Sequence, residues 1–85
     1  MNRHPTEIQR KILLQRLEEK PCSTIEARHE LDIIAPAARV HELRHDHGYN
    51  IQTVKTTALN PGGRYHTVAK YVLLPGKYQG DIRNG

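Results

Sequence analysis

The chain predicts an α+β domain in which three short helices precede a two-stranded β-hairpin. Three observations carry that prediction. Apolar residues recur at helical spacing through the first half, the period falls to two from Asn50 onward, and Pro36 and Gly48 bracket one helix-sized stretch, APAARVHELRHDHGY, at positions 35–49.

Eighty-five residues form one small domain, because a chain of this length buries only about 60–65% of its unfolded surface. With 36% apolar residues and neither Phe nor Trp, the core must come from Leu, Ile, Val, Ala and some of the four tyrosines. A large internal ligand pocket is not expected. Thirteen Lys and Arg against nine Asp and Glu give a net charge of +4 and a pI near 9.5, which favours a polyanionic partner. The single cysteine, Cys22, excludes an intramolecular disulfide and a four-cysteine zinc site and suits a reducing cytoplasm. No apolar run approaches the roughly 18–20 residues of a membrane span, and MNRHPTEIQR lacks the apolar core of a signal peptide. The expectation is a cytoplasmic protein, nucleoid-associated when bound to DNA, with no membrane partner.

Residues 1–5 read as a flexible N-terminus. A first helix spans Thr6 to about Glu19, with Ile8, Ile12, Leu13 and Leu17 as its apolar stripe, and Lys20-Pro21 ends it, since the residue before a proline is pushed from helical geometry. Pro21 and Cys22 serve as connector. Ser23 and Glu26 then match a capping box, in which each side chain serves the other's backbone amide. This second helix reaches about Glu30 or Leu31, with Ala27 and Leu31 facing inward.

Asp32 is the residue of the following turn best suited to a left-handed backbone, and Ile33 and Ile34 are expected to anchor that turn. Pro36 suits the first turn of the third helix, and Gly48 stops it after His47. At about 100° per residue, Pro36, Val40, Leu43 and His47 face inward, Ala38, His41, Glu42 and His45 face outward, and Arg39 and Arg44 lie on the flanks. NIQTVKTTAL and YHTVAKYVLL form the hairpin, with Asn60-Pro61-Gly62-Gly63-Arg64 as a flexible tip. Ala69, Tyr71 and Leu73 share the core face. Pro75-Gly76 ends the second strand, so the domain occupies residues 6–74 and residues 75–85 form a flexible tail. The order helix, helix, turn, helix, hairpin is the layout of a winged helix-turn-helix.

Ser23, Glu26-Ala27-Arg28, Leu31, Ile33, Pro36-Ala37-Ala38-Arg39-Val40, Glu42-Leu43-Arg44, Gly48, Ile51, Thr53 and Ala69-x-Tyr71-x-Leu73 resemble the small winged helix-turn-helix proteins common in phages and prophages. The resemblance runs from about Gln9 to Leu74 and is most specific in its middle third. It implies a DNA-binding domain with a regulatory role. Two departures stand out: Asp32 replaces the glycine frequent in that turn, and the hairpin is longer, with Pro61-Gly62-Gly63 at its tip.

In such a fold the third helix enters the major groove and the preceding helix rests its N-terminus on phosphate. Arg39 is then expected to pair with guanine, His41 and His45 to donate to bases or phosphate, Ala38 to meet a thymine methyl, and Arg44 to contact backbone. The competing reading of Arg39 is an i, i+3 ion pair with Glu42, the one outward residue that disfavours DNA, and the two roles are compatible if Glu42 orients Arg39 towards the groove. Ser23 and Thr24 are expected to form a phosphate site with Arg28 nearby, and Lys55, Arg64, His66 and Lys70 to make a basic wing. A solvated charged face is the plainer reading of the hairpin.

His41 and His45 share a helical face at metal-ligand spacing, but two ligands do not make a site and no H-E-x-x-H is present, so neither metal nor cofactor is expected. The second helix's N-terminus would lower the Cys22 thiol pKa, yet no partner base lies at a catalytic spacing, and the chain is read as a non-enzyme. The expected function is sequence-specific binding of double-stranded DNA as a small phage or prophage transcriptional regulator. An excisionase-like architectural factor is the alternative within the same binding class. The alternative outside it is a winged-helix interaction module for a host protein. A palindromic target would imply a homodimer, although no residue pattern marks a dimer seam.

Overall fold

The computed structural model describes residues 4–59 and 61–80. In chain order it contains α1 (Thr6–Glu19), β1 (Cys22–Ser23), α2 (Thr24–Glu30), α3 (Pro36–His45), β2 (Tyr49–Leu59) and β3 (Tyr65–Lys77). Three helices and an antiparallel hairpin make the expected α+β winged helix architecture.

On α1 the buried positions are Gln9, Leu13, Arg16 and Leu17, spaced i, i+4, i+7 and i+8. Two of them are polar, and Ile8 and Ile12 of the expected stripe are only half-buried. The exchange has a cause on α2. The Arg16 guanidinium reaches Glu30 at 2.8 Å and Glu26 at 3.1 Å, so a buried cation finds two carboxylates and ties the helices together. The Glu30 hydrogen bond raises the Arg16 pKa against the opposing effect of burial.

Cys22 and Ser23, expected as connector and cap, also form strand β1, opposite Tyr71 and Lys70 of β3. Two residues are too few to show a period of two. Ser23 caps α2 as anticipated: its Oγ accepts from the Glu26 amide at 3.0 Å, and its own amide donates to Glu26 Oε1 at 2.9 Å. Cys22 is fully buried and burial pushes its thiol pKa up, the reverse of the activation expected from a helix N-terminus.

Asp32 adopts the left-handed conformation, with φ 55°. The Ile33 amide then bonds back to the Ala27 carbonyl at 3.1 Å, tucking Ile33 into the core. Ile34 does not join it: the next side chain points outward and is half-exposed, while Arg28 Nε donates to its carbonyl at 3.2 Å. Pro36 begins α3, and Val40 and Leu43 face inward. The helix closes two residues earlier than expected, when the Gly48 amide, at φ 75°, bonds to the Arg44 carbonyl. His47 therefore lies past the helix and is exposed rather than on its inner face.

The sheet runs β1-β3-β2, all antiparallel. Register is constant from Asn50↔Leu74 to Leu59↔Tyr65, so Ile51, Thr53, Lys55, Thr57 and Leu59 share one face with Leu73, Tyr71, Ala69, Thr67 and Tyr65. The core lies between this face and the helices: Leu13, Leu17, Ala27, Ile33, Val40 and Leu43 meet Cys22, Ile51 and Tyr71, with Leu31, Ala69 and Leu73 against them. Pro75-Gly76 does not end β3. It is accommodated as a bulge, Gly76 taking φ 87°, after which Lys77 pairs with Tyr49. The expected flexible tail is thus ordered at its start, where the Tyr78 amide bonds to the Gly48 carbonyl at 3.2 Å and Gln52 Nε2 to the Gly80 carbonyl at 3.2 Å. Residues 1–3 of the expected N-terminal arm, Asn60 of the hairpin tip and residues 81–85 lie outside the described residues.

Candidate nucleic-acid interface

The outward surface of α3 is small at its start and aromatic at its end. Ala37 is exposed and Ala38 half-buried, and one turn on the exposed His41 and His45 rings lie 4.3 Å apart. His45 also meets the edge of Tyr78 at 5.5 Å, and the Arg44 guanidinium carbon sits 4.8 Å from the centre of the same tyrosine ring. Arg44 is anchored from below: its Nε donates to the Ile51 carbonyl at 2.6 Å and its Nη2 to Thr53 Oγ1 at 2.5 Å. Helix and edge strand β2 are thereby joined into one continuous surface. Tyr78 was not foreseen as part of it, since its only signal was an aromatic residue in an otherwise polar tail.

Arg39 does not belong to that surface. Its Nε lies 2.8 Å from Glu42 Oε1, its Nη2 donates to Oε2 at 3.1 Å, and its Nη1 donates to Gln9 of α1 at 3.5 Å. Arg10 of α1 adds a third contact to the same carboxylate at 3.0 Å. Burial raises the Glu42 pKa, but the hydrogen bonds and charges of Arg10 and Arg39 outweigh it and hold the carboxyl below its usual value. The ion pair expected between Arg39 and Glu42 is thus present, with Gln9 of α1 against Arg39 and Arg10 of α1 against Glu42. Glu42 likewise points toward α1 rather than outward to DNA.

The expected phosphate site at α2 is internally satisfied. Ser23 Oγ and its amide serve the capping box, and Thr24 Oγ1 donates to the Ala69 carbonyl at 3.3 Å. Glu26 occupies the anion's place, and those Ser23 hydrogen bonds hold its carboxyl below its usual pKa. Arg28 is exposed and holds the Ile34 carbonyl.

The four wing residues do not form a single edge. Lys55 lies on the helix-side face of the sheet, His66 and Lys70 lie on the opposite face by alternation, and Arg64 sits exposed beside the hairpin tip. Charge segregation is nevertheless clear. From His47 through Gly80 the sequence has no Asp or Glu and carries Lys55, Arg64, Lys70 and Lys77. On the helices, by contrast, Glu26, Glu30 and Glu42 are paired with arginines.

A surface cleft of about 350 Å³ lies on the other side of α3, lined by Glu7, Arg10, Lys11, Leu14, Leu43, His47 and Tyr49. Leu43 is an inner-face residue, which separates this cleft from His41 and His45. Among the described residues no group of three or more potential metal ligands comes together, and no helix is long and apolar enough to cross a membrane.

A helix-turn-helix whose third helix presents a small, uncrowded face beside a cationic hairpin defines the winged helix class, whose members generally bind DNA. Residues 8–75 match the family model described as the winged helix-turn-helix domain, and the chain belongs to that family. No curated protein and no solved structure matches the chain.

Proposed function

We propose that the protein binds duplex DNA through the outer face of α3, with the β2–β3 hairpin lying along the neighbouring backbone, and acts as a small transcriptional regulator of phage or prophage type. The observation that carries this reading is the charge segregation: an acid-free hairpin stands beside a helix face whose one acid, Glu42, is turned inward onto arginines. Ala37 and Ala38 permit close approach to the groove floor, where a methyl group meets thymine. His41 and His45 then donate to base edges or phosphate, and Arg44, held at the helix–strand junction, contacts backbone. Sequence preference rests on Ala38, His41 and His45 rather than on Arg39. Such a protein works in the cytoplasm on the nucleoid, without metal, cofactor or catalytic step.

A protein-interaction role has its own support in the exposure of Ile25 and Ile34, 44% and 51%. Those residues lie on α2 and its turn, however, and the α3 face itself is not apolar. Selection from a random duplex pool at low salt decides between the readings. An enriched site is expected. Absence of enrichment together with recovery of one stoichiometric protein partner would overturn the DNA reading.

A further inference from the structure

The hairpin ends in a feature that phosphate contact does not explain. Leu59 and Tyr65 stand directly opposite each other as the last β2–β3 pair, and they are 59% and 74% exposed. They are large apolar groups at the far end of an acid-free hairpin, with Arg64 next in sequence. Alternation places both on the helix-side face, the face on which Arg44 of α3 grips Thr53. A duplex seated against α3 therefore meets this face first.

Distance fits as well. Leu59 lies six strand positions beyond Thr53, a reach of about 20 Å. Half a turn of B-DNA, the step from a major groove to the next minor groove, is about 17 Å. Resting on the DNA-binding reading above, we infer that Leu59 and Tyr65 form a wedge that enters the minor groove, opens a base step and kinks the duplex, while Arg64 and Lys55 hold the adjoining phosphates. Apolar side chains at a cationic tip act this way because unstacking one step exposes base faces that an aromatic and an aliphatic group cover. The surrounding charge selects a polyanion over a neutral protein surface, and the shared face with α3 selects DNA over a lipid surface.

The test is ring closure by ligase of a mixed-sequence linear duplex of about 120 bp, shorter than the persistence length of about 150 bp, so that circles form readily only when the DNA is bent. Fluorescence anisotropy on the same duplex measures binding in parallel. The wild-type chain is expected to raise circle yield about tenfold or more, and the Leu59→Ser/Tyr65→Ser variant to abolish that gain while binding within about threefold of wild type. Both side chains are exposed, and an unchanged circular dichroism melt certifies the variant's fold. Binding without added circles, or circles undiminished in the double variant, overturns the wedge and leaves the DNA reading intact. No binding to any duplex overturns both. Wild-type binding instead to anionic phospholipid vesicles, lost in the double variant, would reassign the tip to a membrane surface.

Discussion

Arg39 and Glu42, one turn apart on α3, grip each other through two contacts, Nε to Oε1 at 2.8 Å and Nη2 to Oε2 at 3.1 Å. The same carboxylate takes Arg10 of α1 at 3.0 Å. This arrangement helps fix the rotation of α3: Glu42 faces α1, Ala38, one turn earlier on nearly the same side, is half-buried, and His41 and His45 are exposed. An arginine that sequence alone offers as a base reader thus becomes a strut.

Replacing Arg39 with Ala is therefore expected to act on stability. Glu42 keeps Arg10, and the pair is partly solvent-screened, so the loss in urea unfolding is about 1 kcal/mol. Affinity for duplex DNA, titrated under conditions where both proteins are folded, should change by less than about threefold, under 0.7 kcal/mol on the binding scale. A folded Arg39→Ala protein with a loss of specific binding of about 1–3 kcal/mol would return the residue to the DNA groove.

Glu26 and Glu42 both have carboxyl pKa values held below the usual range in the folded state. Their stabilisation is then complete above the unfolded value of about 4.3 and disappears as pH falls through the lower folded values. Urea midpoints should be nearly level from about pH 7 to 5 and drop below about pH 4.5. The Glu26→Gln/Glu42→Gln variant should be less stable at neutral pH and show a shallower acid decline. Parallel curves for the two proteins would exclude these residues as the source of the acid sensitivity.

The devices legible in the sequence are those set by residues within a few positions of one another. Ser23 with Glu26, Asp32 at the turn, Pro36 at a helix start and Gly48 beyond its end each act through local backbone geometry; the first three act as anticipated, and Gly48 closes a helix that ends two residues sooner. What escaped were side chains whose partners are distant. Arg10 and Glu42 are 32 positions apart, and Arg16 outcompetes Ile8 and Ile12 for the buried stripe only because α2 delivers Glu26 and Glu30 to it. The outward face of α3 was largely readable from its wheel. The direction of Arg39 and Glu42, and the presence of Tyr78, depended on how α1 and the end of β3 pack.

The end of the chain offers a direct check of that last point. Truncation after Leu74 removes the Tyr49–Lys77 pairing, the Tyr78 amide bond to Gly48, the Gly80 carbonyl that accepts from Gln52, and the ring under Arg44. A loss of about 1–3 kcal/mol in urea unfolding is expected, whereas truncation after Gly80 should leave stability unchanged. Equal stability of the two truncated chains would restore Pro75 as the end of the folded unit.

Lys55 tests the hairpin's part in binding. It is exposed on the helix-side face, two residues beyond the Thr53 that Arg44 holds, and therefore closest to a backbone lying alongside α3. A phosphate contact there carries no sequence information but releases one condensed cation. Lys55→Ala should weaken target and unrelated duplexes by the same factor and reduce the slope of log K against log salt by about 0.9. Lys20 is the control, because it precedes β1 at the opposite edge of the sheet, and Lys20→Ala should leave the slope unchanged. Anisotropy titrations across about 50–200 mM salt read both variants. If Lys55→Ala keeps the wild-type slope, the hairpin is a solvated face and α3 binds without it.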